Sequence, residues 1–210
     1  MPTIAQHIEE IRNIDVGNHT IDKIRKRNWD ALNYPEKDAL HRAIFTTDEI
    51  TLSRAEVKAE TDVKTKIMKV LMWGYQTPSG RPPKATFENI ANHLTELEAI
   101  FSRIQNQNLN AAQKRDTFAN LQTVRGLGPG GIATNSKLFY FFNVSFEGKK
   151  CLILDSVVAS KLNLFDDFAG TEWKAVPKCY SSYLNRMDEL AEIHHVSSEQ
   201  LEKFLFTYQA

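Results

Sequence analysis

A glycine-rich segment separates two helical patterns near the middle of this 210-residue chain. Residues 126–131 read GLGPGG, and glycine permits tight turns with positive φ that other residues resist. Phe118 and Leu121 lie at helical spacing before the segment, and a second amphipathic pattern follows it. The sequence therefore predicts a short turn that joins two helices.

Helical spacing of apolar residues continues over most of the chain. Ile4, Ile8 and Ile11 fall three or four residues apart, which is typical of one buried helix face. Thr20 is placed to cap a further helix that buries Ile24. The helix that approaches the proline-rich loop at residues 76–83 is expected to end at Gly74.

Strand patterns are short. Residues 46–52 are polar and are expected to connect two helices, and no run of alternating residues is long enough for a sheet. A small extended or hairpin element is expected within residues 145–154. The predicted fold class is all-α with about ten helices, arranged as a single domain over residues 1–210.

The composition limits the classes of protein. No apolar run approaches the roughly 20 residues that span a bilayer, so we expect a soluble, cytoplasmic monomer without a membrane partner. Two cysteines, Cys151 and Cys179, are too few for an iron–sulfur cluster and are expected to be buried. Adjacent histidines at 194 and 195 point to different sides of a helix, so no metal site is expected. The net charge of zero argues against charge-driven DNA binding but permits a local patch.

Lys137 follows three residues that are able to cap a helix, Thr134, Asn135 and Ser136. The sequence therefore predicts Lys137 in the first turn of a helix, where the helix dipole and apolar neighbours disfavour a charged ammonium. An amine held in this way is available as a nucleophile. A solvent-facing lysine at a helix start is the alternative interpretation.

Asp155 follows the apolar residues 152–154 and precedes SVVA, so it lies where a buried segment enters a helix. A helix cap is the structural interpretation of such an aspartate. Capping is compatible with catalysis, because the cap holds the carboxylate ionised and ready to stabilise a cationic transition state.

Three segments together resemble the helix–hairpin–helix superfamily of DNA glycosylases, and in particular its 8-oxoguanine-type members of the archaeal kind and their bacterial relatives. They are GLG at 126–128, SKLFYFF at 136–142 and LILDSVVA at 152–159, with weaker support from KVLMWGY at 69–75. The resemblance covers residues 63–162. It implies a two-lobed helical fold that holds double-stranded DNA across the hairpin and flips a base into the cleft between the lobes.

The resemblance also implies roles for particular residues. Lys137 would be the nucleophile and Asp155 the acid that activates it and stabilises the sugar cation. The DNA backbone would lie against the glycines of the hairpin, which are Gly126, Gly128, Gly130 and Gly131. Lys137 comes nine residues after Gly128 (137 − 128), later than in the commoner hairpin. Either the hairpin is longer, or residues 126–131 are not the phosphate hairpin in detail.

The base pocket is expected to draw on aromatic side chains. Phe141 lies one helical turn after Lys137, and Trp73 lies at the mouth of the proline-rich loop, so the resemblance makes both candidates to stack on the base. A buried core residue is the other interpretation of Trp73. Gln76, Arg81 and Asn135 are candidates to read its edge. No cofactor is expected.

The leading prediction is a DNA glycosylase with abasic-site lyase activity, and 8-oxoguanine is favoured by resemblance alone. A different modified base, such as a phage-modified cytosine, stays open as the substrate. A non-catalytic helix–hairpin–helix DNA-binding adaptor and a helical interaction scaffold stay open as alternatives of another class.

Overall fold

The computed structural model describes residues 1–79, 82–128 and 130–209. Most of these residues are helical. The α-helices are α1 (Ile8–Arg12), α2 (Lys26–Asp30), α3 (Lys37–Ile44), α4 (Arg54–Ala59), α5 (Val63–Tyr75), α6 (Lys84–Asn92), α7 (Leu94–Ile104), α8 (Ala111–Leu121), α9 (Ile132–Phe141), α10 (Ser156–Leu162), α11 (Pro177–His194) and α12 (Ser198–Thr207). The strands are β1 (Thr20–Arg25), β2 (Glu49–Ser53), β3 (Asn108–Leu109), β4 (Ser145–Phe146) and β5 (Lys149–Lys150).

The mostly helical class is confirmed, and so is the small hairpin predicted within residues 145–154. Strands β4 and β5 pair antiparallel around Glu147 and Gly148, and β3 adds to β4 in parallel. No helix in the described part of the chain is long and apolar enough to cross a membrane.

The structure contradicts three expectations, which are the helix beginning at Thr20, the connection at residues 46–52 and the absence of any run long enough for a sheet. These two stretches form strands β1 and β2, which pair antiparallel. The pairing shifts register between Ile21 and Ile24, where Lys23 has a φ of 60°. A bulge of this kind adds one residue to a strand, so two residues that share a face fall three apart, as they would on a helix.

Helix α9 lies at the centre of the hydrophobic core. From Thr134 to Phe141 every residue of α9 is buried, whereas the sequence predicts an amphipathic helix with an exposed side. A helix buried all round must be covered on every side by other elements. Helices α4 and α5 pack against it, and α5 also packs against α7. The C-terminal end of α5 meets the middle of α9, because Tyr75 bonds Thr134 and Gly74 lies against Lys137.

A buried segment without regular secondary structure, residues 151–154, leads to Asp155 and α10. Two tyrosines of α11 hold this segment, because the Tyr180 hydroxyl donates to Leu152 O at 2.9 Å and the Tyr183 hydroxyl donates to Ile153 O at 3.0 Å. Cys151 itself is fully buried, as predicted. The helical frame therefore fixes the backbone directly before Asp155.

Candidate active site

Lys137 and Asp155 form a buried ion pair. The Lys137 Nζ donates to Asp155 Oδ2 at 2.8 Å, and their side chains are only 4% and 13% exposed. Nζ also donates to the Ala133 carbonyl, one turn earlier in α9, at 3.3 Å. Two residues eighteen apart in the chain are thus brought into direct contact in a largely water-free position.

The predicted start of the lysine helix is wrong. Helix α9 begins at Ile132, with Gly131 as its N-cap, because the amides of Thr134 and Asn135 both donate to the Gly131 carbonyl at 2.9 Å. Lys137 therefore lies in the second turn of the helix. The helix-dipole argument for an uncharged lysine does not apply there, since the dipole acts mainly within the first turn.

Asp155 divides its two oxygens between two tasks. Oδ1 accepts from the amides of Val157 and Val158 at 3.0 and 3.1 Å, which caps α10, while Oδ2 faces Lys137. Burial alone would raise the pKa of Asp155, but the charge and hydrogen bond of Lys137 and the two helix amides together hold the pKa below its ordinary value. The carboxylate is therefore ionised at neutral pH.

Ser136 couples the two segments that carry the ion pair. Its Oγ accepts from the Leu154 amide at 3.0 Å. The residue before the lysine is thus bonded to the residue before the aspartate, so Ser136 fixes the separation of α9 from the segment that ends at Asp155. The sequence offers no distinctive signal for this role, because Thr134 and Asn135, directly before Ser136, are also polar.

Tyr75, the last residue of α5, covers the lysine. Its ring centroid lies 5.4 Å from Lys137 Nζ, within the range of a cation–π contact. Its hydroxyl bonds the Thr134 Oγ1 at 2.7 Å, which fixes the ring against α9. Tyr75 is half-buried, so the ion pair lies directly beneath a side chain that reaches the surface.

The aromatic residues predicted for the base pocket pack against each other. The rings of Trp73 and Phe141 meet edge to face with centroids 5.1 Å apart, and the two residues are 2% and 1% exposed. Trp73 Nε1 donates to the His19 carbonyl at 3.3 Å. The structure therefore brings the two rings together near Lys137, with neither face open to solvent.

His19 is a half-buried residue that the sequence analysis missed. Its ring lies 4.9 Å from that of Trp73 and 4.7 Å from that of Phe206. Burial, followed by the positive charges of Arg54 and Lys203, lowers the pKa of His19 to about 4, so the ring is neutral at pH 7. Among the described residues its buried Nδ1 has no hydrogen-bond partner. Only the pairing of β1 with β2 carries His19 to this position, so the sequence holds no local signal for it.

A family described as "Putative 8-oxoguanine DNA glycosylase OGG-like protein" matches residues 14–206, which is most of the chain. The chain belongs to this family. No curated protein and no solved structure matches it. The resemblance predicted from the sequence is confirmed, and membership of the OGG-like family indicates a DNA glycosylase as the class of enzyme and DNA as the class of substrate.

The glycine-rich turn of this OGG-like protein lies between α8 and α9, as predicted, and two of its glycines are required by packing. Gly126 has a φ of +96°, and a β-carbon there would lie 2.3 Å from Thr86 Cγ2. A β-carbon on Gly131 would lie 2.2 Å from the Gly126 carbonyl oxygen. Gly130 differs, because a β-carbon there would meet no atom within 4 Å, and Gly128 would make only ordinary contacts.

The candidates for reading the base edge have different surroundings. Gln76 is exposed, and its side-chain amide donates to the Asp22 carbonyl in β1 at 3.1 Å. Asn135 is buried and donates to the Leu127 carbonyl at 2.7 Å, which ties the glycine turn to α9. Arg81, like Pro129 of the glycine turn, lies outside the described residues.

Metal-binding side chains are not clustered. Within residues 1–79, 82–128 and 130–209, no group of three or more histidine, cysteine, aspartate or glutamate side chains is close enough to hold an ion.

Proposed function

We propose that this protein is a DNA glycosylase with abasic-site lyase activity, in which Lys137 is the nucleophile and 8-oxoguanine is the favoured base. The observation that carries the proposal is the ion pair of Lys137 with Asp155, buried in the core of a chain that belongs to the OGG-like family. A buried lysine paired to a helix-capping carboxylate is a costly arrangement for stability alone. Catalysis accounts for its presence.

Attack by the lysine requires loss of one proton. Of its two acceptors, the Ala133 carbonyl and Asp155 Oδ2, the carboxylate at 2.8 Å is the one that can take up this proton. The neutral Nζ then forms a bond to C1′ of a flipped nucleotide while the N-glycosidic bond breaks, and the base leaves with the bonding electrons and takes up the proton that Asp155 had accepted. Asp155 is then a carboxylate again and stabilises the positive charge that develops on the sugar.

The lyase step follows from the same bond. Opening of the sugar ring converts the Nζ–C1′ adduct into a protonated Schiff base, which acidifies the C2′ proton. Loss of that proton expels the 3′ phosphate by β-elimination, and hydrolysis of the imine regenerates Lys137. These steps need no cofactor.

Recognition of the base would use the aromatic end of α5. Tyr75 lies directly over the ion pair and is half-buried, whereas Trp73 and Phe141 are closed against each other. A base that stacks on either buried ring would have to part them. Extruding a base costs a few kcal/mol, which stacking and edge hydrogen bonds offset, with Gln76 at the rim as an edge reader.

The glycine turn would hold the DNA backbone as the hairpin of a helix–hairpin–helix. Gly128 and Gly130 are not required by their own packing, and open space at Gly130 lets a phosphate approach the main chain. Gly126 and Gly131 would serve indirectly, since they shape the turn.

Borohydride trapping tests the proposal. The substrates are duplexes that carry 8-oxoguanine, a modified cytosine, an abasic site or no lesion. On the duplexes with a recognised base or an abasic site, we expect a covalent adduct with the parent protein and none with Lys137→Gln. Lys66→Gln, a matched change of another buried lysine, should still form the adduct. An adduct that persists in Lys137→Gln contradicts the role of this lysine. Tight binding without base release from any duplex would favour the non-catalytic adaptor.

A further inference from the structure

Gly74 occupies an unusual position in α5. The sequence predicts that the helix ends there, but α5 continues through Tyr75, and the positive φ of 49° falls on Gln76. Gly74 therefore has a helical backbone that alanine would adopt more readily. The requirement for glycine must come from its surroundings.

The side chain of Lys137 packs directly against Gly74. A β-carbon at position 74 would lie 2.7 Å from Lys137 Cδ and 3.0 Å from Cε. Both distances are shorter than van der Waals contact between carbon atoms, which is near 3.5 Å or more. The lysine stem thus fills the space that a side chain at position 74 would need.

We propose that Gly74 is a positioning residue for Lys137, because the missing β-carbon leaves the channel through which the lysine stem reaches Asp155. The proposal rests on the proposed role of Lys137 as the nucleophile. Tyr75 forms the next part of the same wall, with its ring over Nζ and its hydroxyl fixed to Thr134. Two consecutive residues of α5 therefore define where the amine lies.

The contact between Gly74 and the Lys137 side chain predicts how Gly74→Ala affects the protein. The atoms that a β-carbon would meet belong to the far end of a flexible side chain, and no backbone atom lies among the nearest contacts. Gly74→Ala can therefore fold by pushing the lysine stem aside. The displacement moves Nζ away from Asp155, and a misplacement of about 1 Å in a reacting group is sufficient to cost about 100-fold in rate.

Kinetics on the whole protein test the first consequence. In single-turnover base release, Gly74→Ala should be slower by about 100-fold, with weaker borohydride trapping and an unchanged Kd for the lesion duplex. Gly17→Ala is the control, because a β-carbon at Gly17 would make only ordinary contacts, the nearest at 3.4 Å. Base release by Gly74→Ala at the parent rate overturns the proposal.

A cycle of thermal stabilities tests the contact itself. Gly74→Ala is made in the parent and in Lys137→Ala. With the stem removed, Gly74→Ala should raise the Tm, because alanine favours the helix, whereas in the parent it should lower the Tm or leave it unchanged. An equal change of Tm in both backgrounds shows that Gly74 acts on something other than Lys137. The cycle needs no substrate, so it decides the role of Gly74 even if the parent releases no base from any duplex.

Discussion

Removing one partner of the Lys137–Asp155 pair should destabilise the protein far more than removing both. At 2.8 Å the gross attraction is about 6 kcal/mol with an effective dielectric constant near 20. Burial of both charges offsets much of that attraction. A single substitution leaves the other charge buried and unpaired, which costs about 3–5 kcal/mol.

Three variants separate the contributions. Asp155→Asn keeps an oxygen that can cap α10 but loses the charge, so it should lower the free energy of unfolding by about 3 kcal/mol. Asp155→Ala also loses the bonds to Val157 and Val158 and should cost about 1 kcal/mol more. The double variant Lys137→Met/Asp155→Asn should lose only about 1–2 kcal/mol, because no unpaired charge remains.

Urea unfolding at pH 7.5, followed by circular dichroism, measures these values if the transition is two-state with a constant slope. The cycle also needs Lys137→Met, which leaves Asp155 unpaired and should cost about 3–5 kcal/mol. The two single effects minus the effect of the double variant then give a coupling energy of about 4–7 kcal/mol. The reasoning is refuted if the effects of the single substitutions add to within about 0.5 kcal/mol, since the two side chains would then not interact as a charged pair in the folded protein.

Three further predictions concern the surroundings of the pair. Ser136→Ala leaves the buried Leu154 amide without its acceptor, so it should cost about 1–3 kcal/mol in urea unfolding and slow base release without weakening DNA binding. His19 titrates near 6.5 when unfolded and about 4 when folded, so the folded state binds fewer protons and stability should fall as the pH drops from 6.5 toward 4. The loss of unfolding free energy that this pKa shift implies is halved because the ring is partly exposed, which leaves about 2 kcal/mol. This pH-dependent loss should be absent in His19→Gln. Arg54 and Glu202 form a second buried ion pair, in which Arg54 Nη1 donates to Glu202 Oε2 at 2.7 Å. Glu202→Gln leaves the buried guanidinium unpaired and should lower the free energy of unfolding by about 3–5 kcal/mol.

Each of these predictions has a result that contradicts it. Unchanged base release in Ser136→Ala would mean that the bond to Leu154 does not set the geometry of the pair. Identical pH slopes for the parent and His19→Gln between pH 7.5 and 5 would mean that this ring does not titrate as described. A stability of Glu202→Gln within 0.5 kcal/mol of the parent would mean that water reaches Arg54.

The prediction of Lys137 and Asp155 as a pair depended on the resemblance to the family, and local patterns supported the position of Asp155. An apolar run before Asp155 and valines after it place the carboxylate at the start of α10, and the structure puts it there as the cap. Their contact at 2.8 Å agrees with the resemblance to the family, while their catalytic roles stay predictions. The predicted start of α9 was wrong. It relied on three residues that often cap helices, Thr134, Asn135 and Ser136, but here they are buried inside the helix.

The residues around the pair lacked any local signal. Gly74 looks like a helix end in the sequence, and only the passage of the Lys137 stem gives it another meaning. His19 belongs to the segment that leads into β1, and the bulge that gives β1 a helical spacing concealed the strand. The positions of Gly74 and His19 matter because of contacts with residues more than 50 positions away in the chain, which are Lys137 and Trp73.

The sequence by itself determined the helical class, the glycine turn between α8 and α9, and the position of Asp155 at the start of a helix, while the pairing of Asp155 with Lys137 came from the resemblance to the family. The first three follow from periodicity, backbone freedom and capping, which act over a few neighbouring residues. Only the tertiary structure decided that Lys137 passes Gly74, that Ser136 holds Leu154, and that Trp73 closes against Phe141. Such contacts depend on how distant segments pack, and a close-packed core admits each side chain only where its neighbours leave room.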